Sequence, residues 1–143
     1  MVGMTLHGHA REVGVRELHE EGSDLAAELW ASARSVTSSI LSHPEGRAAH
    51  GAARRSGRLS ARQRRRAVDD FETVHAELVL IGLDAALARA AGALADDLGL
   101  RGYDAVRAAT ALGLRDDSVF VTWDVELAGA MHEAGCAVAP ALS

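Results

Sequence analysis

Lysine is absent from this 143-residue chain, so all fifteen of its basic side chains are arginine. Cysteine occurs once, at Cys136, which excludes an internal disulfide and suits a reducing cytoplasm. Aromatic residues make up only 3% of the chain, so Ala, Leu and Val must do the packing. That composition favours thin helices laid closely on a sheet. No apolar run approaches the ~18 residues that a membrane span needs. The N-terminus has no basic start followed by an apolar stretch, so it does not read as a signal peptide. What is present is 48% hydrophobic residues, enough for a core, in a length that fits one domain over residues 1–143.

Charge is unevenly distributed. The formal net charge is −5, yet eight arginines (Arg47, Arg54, Arg55, Arg58, Arg62, Arg64, Arg65 and Arg66) fall between Glu45 and Asp69, where no acid occurs. The rest of the chain is acidic. Such a cluster attracts phosphate or an acidic partner segment. The bland alternative is a solvated helical face, and charge patterning alone leaves both open.

Residues 1–20 sustain neither a period of 2 nor one of 3.6, and contain His7, His9 and His19 among scattered glycines. Beyond them the pattern sharpens. Ser23 can cap a helix over about 24–33, and Val36-Thr37-Ser38 is a short strand candidate. Ser42-His43-Pro44-Glu45 opens a helix with a cap, an early proline and a glutamate three residues on. It ends near Gly57, and Ser60 starts another that runs to about Ala76. Leu78–Ile81 reads as a strand buried on both faces. Asp84 caps an Ala/Leu helix that stops before Gly99, and a further helix covers about Tyr103 to Leu114. Ser118–Thr122 is the second clear strand. Val125–Ala134 is the last helix, stopped by Gly135, and Cys136–Val138 is a final edge strand. This alternation predicts an α/β fold: a parallel sheet of four to five strands with helices on both faces.

Ligands of such sheets bind beyond the carboxyl ends of the strands. Asp124 emerges just past the strand ending at Thr122, and Glu45 follows the strand at 36–38 by a short turn. Asp104 opens the helix ahead of the strand at 118–122. Three carboxylates can thus converge on one edge, where hard oxygen ligands suit Mg²⁺ or Mn²⁺ and phosphodiester hydrolysis. Each has an innocent reading as well. Glu45 fits a capping box with Ser42, while Asp104 and Asp124 are acids favoured in a first helical turn. His7-Gly8-His9 is too short to claim a metal, and Trp30 and Trp123 read as packing residues.

The same residues resemble a known family. Glu20-Glu21-Gly22-Ser23 and Pro44-Glu45-Gly46-Arg47-Ala48-Ala49 look like the opening helix and second acidic motif of VapC-type PIN-domain endoribonucleases, toxins of type II toxin–antitoxin systems. Gly57-Arg58-Leu59-Ser60 resembles the joint between their middle helices. Leu100–Val106 with Ala108-Ala109-Thr110-Ala111 looks like their third motif, and Val119–Asp124 with Leu127-Ala128 like the fourth. Ala134–Val138 and Pro140 resemble the usual ending. The likeness covers about residues 20–140.

The resemblance implies a PIN-like fold with a five-stranded parallel sheet and an acidic cluster that binds Mg²⁺, or Mn²⁺. It also implies RNA cleavage, and inhibition by a cognate antitoxin protein. Carried over by position, Glu45, Asp104 and Asp124 become metal ligands with Thr122 beside them. Arg54, Arg55, Arg62, Arg64, Arg65 and Arg66 become contacts to RNA or partner, and a cytoplasmic homodimer is expected. Two departures stand out. The family opens with an apolar strand ending in an aspartate, where this chain has His7, Gly8 and His9 and no acid until Glu12. The family's histidine three residues after the third acid is Arg107 here. An arginine there either joins the RNA contacts or pairs with a site carboxylate. With three acids, weak cleavage in Mg²⁺ is expected, and the alternative is a relic that binds antitoxin or RNA without cutting. His9 is a conceivable substitute ligand, better suited to Mn²⁺ than to Mg²⁺.

Overall fold

Local sequence sets most of the elements. The computed structural model describes residues 4–7, 27–114 and 118–139. The Ser23 cap, His9, Glu12 and Pro140 lie outside the described residues. In chain order the elements begin with β1 (Met4–His7), α1 (27–32), β2 (Ser35–Ser39), α2 (Ser42–Arg55) and α3 (Ala61–His75). They continue with β3 (Val79–Ile81), α4 (Ala85–Leu98), α5 (Gly102–Leu112), β4 (Ser118–Val121), α6 (Val125–Glu133) and β5 (Ala137–Ala139). Ser60 and Gln63 close a reciprocal capping box at the start of α3. The Asp84 carboxylate accepts the Leu87 N–H at 2.7 Å and begins α4. Gly99, at φ 64°, ends that helix in the left-handed conformation that glycine adopts without a Cβ penalty.

The start of α2 departs from its expected cap. Leu41 stands in the N-cap position with helical dihedrals and no side-chain cap, so the Ser42–Glu45 capping box does not form. The Ser42 hydroxyl is buried and meets His75 Nε2 of α3 at 3.1 Å instead. Glu45 is thereby left for another partner.

The strands form one five-stranded sheet in the order β3-β2-β1-β4-β5. β2 runs parallel to β3, and β4 parallel to β5. The expectation of a parallel sheet fails at the centre, where β1 is antiparallel to both neighbours. Its four residues make ladder hydrogen bonds in either direction, so alternation within the segment does not set its sense. The register has a consequence for the site. Met4 pairs with Val121 at the carboxyl end of β4, whereas His7 pairs with Ser118 and Ser35 at the far edge. β1 therefore runs away from the edge where β2 and β4 finish, and its sequence, Met-Thr-Leu-His, contains no acid.

Side chains of β4 alternate between the two faces of the sheet. Val121 packs with Leu29 of α1, Val36 and Ala139, while Phe120 packs with Leu127 and Met131 of α6 and Ala108 and Ala111 of α5. The scarcity of aromatics shows at the α4–α5 contact, built on Ala91, Ala105, Val106 and Ala109. Small side chains let those two helices approach closely.

Candidate active site

Beyond the carboxyl end of β2 the chain turns through Ile40 and Leu41 into α2, whose first turn presents Glu45. Beyond β4 it turns through Thr122 and Trp123 to Asp124, the N-cap of α6. Asp104 stands in the first turn of α5. The turn after β4 is built locally. Thr122 is buried, and its hydroxyl accepts the Asp124 N–H at 3.2 Å, while the Asp124 carboxylate accepts the Leu127 N–H at 3.0 Å. Thr122 thus positions Asp124 rather than facing solvent itself.

Asp104 links two groups of charge. On one side it shares a cavity of about 330 Å³ with Asp124, Glu126 and Arg101. On the other it accepts a hydrogen bond from Arg107 Nη1 at 3.2 Å, and Arg107 Nη2 donates to Glu45 Oε2. Arg107 is only 7% exposed, and these two bonds place its guanidinium between the two carboxylates. Of the two alternatives for Arg107, the pairing with a site carboxylate is the one observed: its positive charge is held inside the acidic cluster, where it relieves the repulsion between Glu45 and Asp104.

Tyr103 is a member of this cluster that sequence reasoning missed. Its ring lies under Arg107, 4.9 Å from the guanidinium carbon, and its hydroxyl donates to the Leu41 carbonyl, tying α5 to the start of α2. Burial, reinforced by the negative charge of Glu45, pushes the phenol pKa up to about 12, so it remains a donor. Glu126 and Arg101 were also missed. Their only signal was adjacency, two residues after Asp124 and three before Asp104.

Oxygen donors of this kind have the right chemistry for a hard divalent ion. Their arrangement does not fit one, because the Arg107 guanidinium stands between Glu45 and Asp104. Among the described residues no three His, Cys, Asp or Glu side chains close to distances that would hold a metal.

Above Glu45, α2 and α3 pack through Phe71, whose ring contacts His43, His50 and His75. Glu72 accepts from Arg47 at 2.8 Å and meets His43 at 3.0 Å. Farther along this hairpin, Arg54, Arg55, Arg58, Arg62, Arg65 and Arg66 are exposed, and none forms an ion pair among the described residues. Arg64 is half-buried. No helix among the described residues is long and apolar enough to cross a membrane.

No family model matches the chain, and no solved structure matches it. Curated proteins do. Ribonuclease VapC45 of Mycobacterium tuberculosis (strain CDC 1551 / Oshkosh) is 42% identical over 123 residues, 85% of each chain. Ribonuclease VapC49 of Mycobacterium tuberculosis (strain ATCC 25618 / H37Rv) matches with the same identity and coverage. Likeness of that degree over nearly the full length of both partners establishes descent, and the chain belongs to the VapC ribonuclease family.

Proposed function

We propose that this chain is the ribonuclease toxin of a toxin–antitoxin pair, with a PIN-like fold that brings RNA to the acidic edge of its sheet. The observation that carries the reading is the linked set of Glu45, Asp104 and Asp124, together with an exposed arginine face farther along the same helical hairpin that has no ion-pair partner among the described residues. Arg54, Arg55, Arg62, Arg65 and Arg66 supply sequence-independent attraction for the RNA backbone, with Arg64 half-buried among them. The acids then stand at the phosphodiester to be cut. Names of the relatives support a nuclease, and the family's pairing with antitoxins supports a cognate antitoxin as the natural partner of the folded toxin. Mg²⁺, or Mn²⁺, is the ion that the family's chemistry implies, and a homodimer is the assembly it implies.

A second reading has its own support. β1 brings no acid to the site edge, and Arg107 occupies the space between two of the three acids. Both features favour a chain that keeps binding and cuts RNA weakly or not at all, since in-line displacement demands exact placement of the attacking water and the phosphate. Purified protein incubated with RNA in Mg²⁺ and in Mn²⁺, beside an Asp104→Ala control, decides between them. Slow cleavage that the control abolishes supports the ribonuclease. RNA or antitoxin binding with no cleavage in either metal supports the binding relic, and neither binding nor cleavage sinks both.

A further inference from the structure

Two carboxylates brought together from 59 positions apart, Glu45 and Asp104, repel one another unless positive charge lies between them. In this fold the charge is part of the chain. Arg107 stands one turn beyond Asp104 on α5 and is fixed from three directions. Nη1 is bound to Asp104 at 3.2 Å, Nη2 is bound to Glu45 on α2, and the guanidinium carbon lies over the Tyr103 ring, 4.9 Å from its centre. Tyr103 is in turn tethered to the Leu41 carbonyl. A guanidinium suits this place because it is planar, weakly hydrated and charged at every accessible pH.

We propose that Arg107 is the resident cation of the site, holding the Glu45–Asp104 pair closed and setting the chain's affinity for a divalent ion. This rests on the reading of these acids as the functional edge. A divalent ion entering between Glu45 and Asp104 must shed part of its water shell and expel the guanidinium. Expulsion takes a guanidinium that is only 7% exposed away from Glu45 and Asp104, which is unfavourable. Mg²⁺ sheds water reluctantly and needs near-octahedral geometry, so it competes poorly. Among the described residues, Asp104, Asp124 and Glu126 also line the 330 Å³ cavity, but Arg101 lines it with them and Asp104 is already shared with Arg107. Glu45 therefore contributes nothing to ion binding in the intact chain.

The test measures Mn²⁺ binding from the free-ion paramagnetic resonance signal, together with thermal unfolding with and without Mn²⁺. The wild-type chain, Glu45→Gln, Arg107→Ala and the Arg107→Ala/Glu45→Gln double variant are compared. Arg107→Ala is expected to bind Mn²⁺ tighter than wild type by roughly tenfold or more. Its unfolding midpoint should rise with Mn²⁺ while that of the wild type does not. Glu45→Gln should leave wild-type binding unchanged but remove the gain in the Arg107→Ala background. Arg107→Ala that folds only when Mn²⁺ is present also supports the proposal. Arg107→Ala that stays unfolded in Mn²⁺ overturns it, because a divalent ion then cannot replace the guanidinium. Weakened Mn²⁺ binding in Glu45→Gln alone, or equal affinity of wild type and Arg107→Ala, overturns it as well. RNA cleavage is not read here, so the ribonuclease proposal and this one stand or fall separately.

Discussion

Gly46 faces the ring of Phe71 so closely that a Cβ at that position would lie 2.4 Å from two ring carbons. The contact is where α2 and α3 approach each other, and Phe71 is hemmed in by His43, His50 and His75. Gly46 also follows Glu45 directly, so the fit of this hairpin sets where the Glu45 carboxylate stands.

Gly46→Ala is therefore expected to destabilise the protein. Overpacking costs about 1–3 kcal/mol, against which alanine's better helix propensity returns about 1 kcal/mol. Urea unfolding measures the net loss. Phe71→Leu placed in the Gly46→Ala chain should restore part of it, because a narrower side chain relieves the contact. A Gly46→Ala protein as stable as wild type would show that Phe71 moves aside freely.

Asp84 and Asp124 do the same local job, accepting the N–H three residues on at 2.7 and 3.0 Å. Replacing either by Ala should cost about 1 kcal/mol through the lost cap. Only Asp124 lies in the cavity with Asp104. Any RNA cleavage should then survive Asp84→Ala and disappear in Asp124→Ala, although the two lose similar stability. Equal activity in the two variants would leave Asp124 a helix cap and nothing more.

The arginine face separates binding from folding. Arg62, Arg65 and Arg66 are exposed and outside any ion pair among the described residues. Replacing all three by Ala should leave the unfolding midpoint nearly unchanged. RNA affinity should drop, and its dependence on log salt should flatten by about 2, from ~0.7 per phosphate contact on single-stranded RNA. Filter binding across a salt series reads both. An unchanged slope would make the face merely solvated.

His75 gives the stability an acid-side dependence. Burial, with the nearby His43 adding to it, pushes its pKa below the ordinary 6.5, and Glu72 opposes the shift. Below pH 6.5 the unfolded chain takes up a proton that the folded chain resists. Its contribution is complete above pH 6.5 and is lost as pH falls through the folded value. Glu72 adds a second loss below 4.5, since hydrogen bonds from Arg47 and His43 hold its carboxyl below that value. Urea midpoints taken between about pH 7.5 and pH 5 should fall in wild type and fall less in His75→Gln. Parallel curves for the two proteins would remove His75 as the cause.

Much of the architecture was legible because the interactions that set it are local. The Ser60–Gln63 box, the Asp84 cap and the Gly99 stop span four residues or fewer, so α3 and α4 begin or end where the sequence says. Apolar runs marked β3 and β4 in the same way, although β3 is an edge strand with Val79 half exposed rather than a strand buried on both faces. The resemblance to the VapC family is borne out by the relatives in Mycobacterium tuberculosis. Tertiary structure decided the rest. The sense of β1 depends on the strands it enters between, because a four-residue ladder forms in either direction. Ser42 left its expected cap for His75, 33 residues away, because burial demanded a partner for its hydroxyl. Glu45 and Arg107, 62 positions apart, read equally well as a cap and an RNA contact until packing placed them together. Charge pairs of that kind follow from which helices touch, and no spacing along the chain encodes it.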